Sequence, residues 1–86
     1  MVSTKVTIVN PTGLHARPAS ELAAFAKTFE SKIFLINGPK QANAASVIKI
    51  LTLGAKQGVE IEVTAEGPDE AEAAEAVAKF IGAIEE

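Results

Sequence analysis

The 86-residue chain reads as an α+β fold, an open-faced β-sandwich in which an antiparallel or mixed sheet carries helices on one face. Three observations lead there. Two segments alternate apolar and polar residues with a period of two, and others place apolar residues at helical spacing. The two kinds of segment take turns along the chain, in the order β-α-β-β-α-β-α with one hairpin. No repeat, linker or low-complexity stretch divides it, so one domain over residues 1–86 with one modest core is expected.

Thr4–Val9 sets Val6 and Ile8 on one face and Lys5 and Thr7 on the other, as a strand does. After the Asn10-Pro11-Thr12-Gly13 turn, Ala16 to Phe29 spaces Ala19, Leu22, Ala26 and Phe29 helically, and its alanines favour the helix. Lys32–Ile36 is a short apolar run expected as a buried strand. Asn37-Gly38-Pro39 turns it back into Lys40–Ala44 as a short edge strand. Ser46 before Val47–Leu53 and Gly54 after it are the end residues of a short helix. Val59–Ala65 alternates, with Val59, Ile61, Val63 and Ala65 inward. Gly67-Pro68-Asp69 starts the last helix, where Asp69 and Glu72 are expected to form an acidic analogue of the capping box. Its core stripe is Ala73, Val77, Phe80 or Ile81, and Ile84.

Hydrophobic residues make up 48% of the chain and charged residues 22%, a globular composition. With no cysteine, packing alone must hold the fold, and no oxidising compartment is demanded. No basic-then-apolar leader and no spanning stretch occur, so a soluble cytoplasmic protein without membrane insertion is expected. The net charge of −3 hides a division. Residues 1–58 hold seven Lys or Arg against two Glu, and residues 59–86 hold Lys79 against nine acids. The cationic part suits an anionic ligand or an acidic protein partner, although charges also simply solvate a surface. Nucleic acid is not expected, because there is no basic cluster and no tyrosine or tryptophan to stack on bases.

The single histidine, His15, stands in Asn-Pro-Thr-Gly-Leu-His-Ala-Arg-Pro-Ala-Ser, residues 10–20. If the first helix begins at Ala16, His15 is its N-cap and Pro18 falls in the first turn, where a missing N–H costs little. The amides of Ala16 and Arg17 then face out of the helix end, and the guanidinium adds planar donors suited to phosphate. A neutral imidazole beside them is a nucleophile able to bear a phosphoryl group. On the residues alone, a surface or loosely capping histidine is the more ordinary reading. A metal has no second histidine or cysteine to hold it. A Ser-His-Asp hydrolase, or an acyl- or phosphoester hydrolase cradling its anion on Arg17, stays open by composition but has no evident cleft or water-activating group.

The same segment resembles the active-site sequence of the HPr family, the histidine-containing phosphocarriers of the bacterial phosphoenolpyruvate:sugar phosphotransferase system. The resemblance covers essentially the whole chain. It takes in Phe29, the Asn43-Ala44-Ala45-Ser46 stretch, Thr52-Leu53-Gly54 followed by Gly58, and Glu66-Gly67-Pro68-Asp69-Glu70-Ala71. Position 15 holds histidine rather than the glutamine of a non-phosphorylatable relative. The resemblance implies a four-stranded antiparallel sheet covered by three helices. It implies that His15 accepts a phosphoryl group on Nδ1 from phosphorylated enzyme I and donates it to enzyme IIA domains, with Arg17 contacting the phosphate. It also implies a carrier rather than a turnover enzyme, working as a monomer with no metal or organic cofactor.

Five of the seven residues from Val47 to Leu53 are apolar, more than one face of a two-turn helix can bury. Either Val47, Ile48 and Leu51 form a docking surface or the small fold wraps the helix in core. Ser46 is expected as N-cap; Lys49 three residues on leaves no reciprocal capping box. In many Gram-positive members of the family the matching serine is phosphorylated by HPr kinase/phosphorylase, which would make Ser46 a switch for docking on enzymes or a catabolite-control transcription factor. Ala45 and Lys49 depart from that pattern, which has lysine before the serine and glycine three after it.

Overall fold

Four strands, β1 (Val2–Thr7), β2 (Lys32–Asn37), β3 (Lys40–Asn43) and β4 (Glu60–Glu66), pair antiparallel into one sheet in the order β1-β4-β2-β3. Three helices accompany them: α1 (Ala16–Ala26), α2 (Val47–Thr52) and α3 (Glu70–Gly82). The computed structural model describes residues 1–11, 13, 14 and 16–84.

Register explains which side of the sheet is covered. Thr4 pairs with Val63, Val63 with Leu35, and Leu35 with Ala42, so one row crosses all four strands on a single face. The neighbouring row, Lys5, Glu62, Ile36 and Gln41, faces the other way. A slip of one residue would exchange the rows and put charge in the core. Ile33, Leu35, Ile61, Val63 and Ala65 join Ala19, Leu22, Ala23, Ile50, Leu53, Ala73, Val77 and Ile81 in one buried cluster. α3 lies on β1 and β4, and α2 sits against α1 and β3. No described helix is long and apolar enough to cross a membrane.

The expected elements are all present, with two informative departures. α1 stops at Ala26 instead of running to Phe29. The Thr28 hydroxyl donates to the Phe25 carbonyl at 2.7 Å, and Thr28 and Phe29 amides bond three residues back rather than four. A side chain competing for a helix carbonyl in this way tightens and ends the turn. Phe29 still reaches the core edge, where its ring meets Phe25 edge-on at 5.3 Å while Phe25 stacks on Phe80 at 5.3 Å.

The second departure is at α3. Asp69 occupies the N-cap position, but its carboxylate makes no side-chain cap bond. It reaches instead to the chain entering β2, accepting from Ser31 N at 2.9 Å, from Glu30 N at 3.1 Å and from the Ser31 hydroxyl. Those loop amides lie just ahead of a strand, and an acceptor from α3 satisfies them. Glu70, rather than the expected Glu72, reaches back to the chain ahead of the helix, bonding Gly67 and not the N-cap amide: its Oε1 accepts from Gly67 N at 3.3 Å, and its Oε2 pairs with the N-terminal ammonium at 3.0 Å.

Candidate functional site

The Asn10–Ser20 segment is built from a turn, a pinned loop and a helix start. Gly13 N donates to Asn10 O at 3.2 Å, and the buried Asn10 side chain returns a bond from Nδ2 to Gly13 O at 2.8 Å. Asparagine closing its own turn is the reason this residue type suits the position. Gly13 has φ +65°, and a Cβ there would lie 2.3 Å from the Ala55 carbonyl oxygen. Only glycine lets the two backbones approach so closely. Leu14, buried, donates its amide to that same Ala55 oxygen at 2.9 Å.

α1 then begins at Ala16, as the proline register requires. Pro18 is fully buried in the first turn, while Ala16 and Arg17 are exposed. The first turn carries no acidic residue to oppose an anion at the positive end of the helix; the one acid of α1, Glu21, comes in the second turn. Arg17 Nε stands 3.6 Å from Glu21 Oε1, one turn along the same face. His15 lies outside the described residues. Among those described, no group of three or more His, Cys, Asp or Glu gathers to hold a metal ion.

Residues 2–83 match the protein family described as "PTS HPr component phosphorylation site". The chain belongs to the HPr family of phosphocarriers of the phosphotransferase system. It is 44% identical to phosphocarrier protein HPr of Buchnera aphidicola subsp. Baizongia pistaciae, over 94% of this chain and 95% of that one. It is 39% identical to HPr of Haemophilus influenzae (strain ATCC 51907 / DSM 11121 / KW20 / Rd), over 99% and 100%. Among solved structures, HPr-C-His of Thermoanaerobacter tengcongensis superposes with a TM-score of 0.88 at 41% identity, covering 94% of this chain and 91% of that one. The four-stranded antiparallel open sheet with three helices is thus the HPr fold.

On the short helix α2, Ser46 caps as expected: its φ of −113° is extended, and its hydroxyl accepts from Lys49 N at 3.3 Å. The apolar excess divides. Ile50 and Leu53 are buried, Val47 is half-buried, and Ile48 and Leu51 are 73% and 42% exposed. Helix α2 itself packs on α1 and β3.

Sequence reasoning passed over the segment after α2. Besides the Ala55 bond, Gln57 Nε2 donates to Val9 O at 3.0 Å and Gly58 N to Ile8 O at 2.8 Å. Residues 55–58 therefore brace residues 8–14. The bonds are largely main-chain, which side-chain patterning does not register; the glycines at 13 and 58 were the only visible sign.

Proposed function

We propose that this chain carries phosphoryl groups on His15 within the phosphotransferase system. A neutral ring lone pair on Nδ1 forms the N–P bond as the bond from phosphorus to the donor atom of phosphorylated enzyme I breaks, that atom keeping the electron pair. The reverse exchange, toward an enzyme IIA acceptor, discharges the carrier. Arg17 and the first-turn amides of Ala16 and Arg17 meet the phosphoryl oxygens. The reading is of a cytoplasmic monomer, one phosphocarrier domain that turns over no substrate of its own. The observation that carries it is the helix start at Ala16, directly after position 15, with Arg17 exposed and Pro18 buried in its first turn, inside a family matched over residues 2–83.

Incubation with enzyme I and phosphoenolpyruvate tests it. Acid-labile phosphate is expected on the wild type and none on His15→Ala; equal labelling of both proteins would discard the proposal.

A second reading rests on the exposure of Ile48 and Leu51. Val47, Ile48 and Leu51 form a docking surface, and Ser46, at the N-terminus of that helix, is its switch where an HPr kinase/phosphorylase is present. A phosphate there is tolerated by the helix dipole and places a dianion among apolar contacts that a catabolite-control transcription factor or enzyme would use. Binding of enzyme I and enzyme IIA to Ser46→Asp should weaken relative to Ser46→Ala. Identical affinities for the two variants would remove Ser46 from the mechanism.

A further inference from the structure

The brace formed by residues 55–58 sets the backbone of a cationic residue, Lys56, against the loop that leads to position 15. Lys56 is exposed and has no ion pair among the described residues. Its backbone, however, is held tightly. A Cβ on Gly13 would lie 2.9 Å from Lys56 Cα. On one side Ala55 O takes the Leu14 amide at 2.9 Å; on the other, Gln57 Nε2 holds Val9 O at 3.0 Å and Gly58 N holds Ile8 O at 2.8 Å. Val59 N closes the turn on Lys56 O at 3.1 Å.

Reach and charge both bear on what this lysine does. Consecutive Cα atoms are 3.8 Å apart, so a residue two positions beyond Gly13 lies within about 7 Å of it in any conformation. An extended lysine stem carries its ammonium about 6 Å from Cα. The two lengths are of the same order, so the stem is long enough to meet a group on the residue two positions beyond Gly13. The guanidinium of Arg17, meanwhile, stands 3.6 Å from the Glu21 carboxylate, so the local charge offered by α1 is offset. A phosphoryl group is close to doubly ionised at neutral pH and is better matched by a further cation.

We propose that Lys56 is a second cationic contact of the phosphoryl group on His15, its ammonium donating to a phosphoryl oxygen. This rests on His15 being the acceptor. No bond is made or broken by the lysine; it favours the dianion over the monoanion and thereby lowers the pH at which the phosphoryl group loses its last proton.

The test needs no protein donor. Phosphoramidate transfers its phosphoryl group to imidazole with loss of ammonia, and the 31P resonance of the product is followed against pH in the wild type, Lys56→Gln and Lys56→Glu. Lys56→Gln should raise the titration midpoint by about half a pH unit and Lys56→Glu by more, with both differences shrinking in molar salt. A labelled His15 with coincident midpoints in all three proteins overturns the role of Lys56 alone. Absence of label at His15 in the wild type overturns the carrier reading and Lys56 with it. Coincident midpoints together with slower uptake from phosphorylated enzyme I by Lys56→Glu would assign the lysine to an acidic partner and sink the proposal.

Discussion

Arg17 and Gly13 act on the candidate site by different physics. Arg17 is a charge on a flexible stem at a helix start, and its worth lies in the transfer step, when phosphoryl charge is redistributed between donor and acceptor. Interactions equally strong before and during transfer gain no rate. Arg17→Ala should therefore slow phosphoryl transfer more than it weakens docking, to be read as separate kcat and KM changes with enzyme I; equal losses contradict the assignment. Gly13 is a matter of volume. Gly13→Ala must place a Cβ against the Ala55 carbonyl in a left-handed conformation, at a cost of about 1–3 kcal/mol. Gly38, with φ +60° and nothing within 4 Å of a Cβ, supplies the control. Urea denaturation should find Gly13→Ala clearly more destabilised than Gly38→Ala, since only the first adds a clash to the backbone cost.

Helix α2 shows how an element can be legible in part. Its limits follow from Ser46 and Gly54, and its surplus of apolar residues foretells that some must stay exposed. Which ones do so depends on where α1 and β3 lie, and no local pattern gives that. Ile48→Glu should leave the denaturation midpoint nearly unchanged while reducing partner affinity measured by calorimetry. Ile50→Ala, two residues away and fully buried, should cost about 2–5 kcal/mol in stability. At α3 the same limit shows from the other side. Asp69 is a recognisable helix-start residue, but its carboxylate serves the amides of Glu30 and Ser31, nearly forty residues earlier. Alternation in Val59–Ala65 and turn residues in 37–39 reveal elements because they are encoded within a few positions. The α1 start was readable for that reason, as Pro18 and Arg17 sit inside one turn; the brace on Gly13 from Ala55 was not.

For the molecule as a whole, pH should act through the start of α3. The Ser31 hydroxyl, followed by the Glu30 amide, holds the Asp69 carboxyl below its ordinary range, and the N-terminal ammonium does the same for Glu70, helped by the Gly67 amide. Both native carboxylates bind protons less readily than their unfolded counterparts. Their stabilisation is thus complete above the usual carboxylate range near pH 4 and is lost as pH falls through the lower native values. Thermal melts from pH 6 to pH 2 should show a falling midpoint, and Asp69→Asn should start lower at neutral pH and fall less steeply. A variant as acid-sensitive as the wild type would remove Asp69 as a cause. The strand order has its own consequence for how the protein comes into being. β1 and β2 share no edge; each is hydrogen-bonded to β4, whose residues are 60–66. During synthesis the first strand must wait on the ribosome until most of the chain has emerged, because the strand that joins the halves is translated last. A prematurely terminated chain ending before residue 60 has no seam to close, so the loop bearing His15 is braced only once the sheet can be.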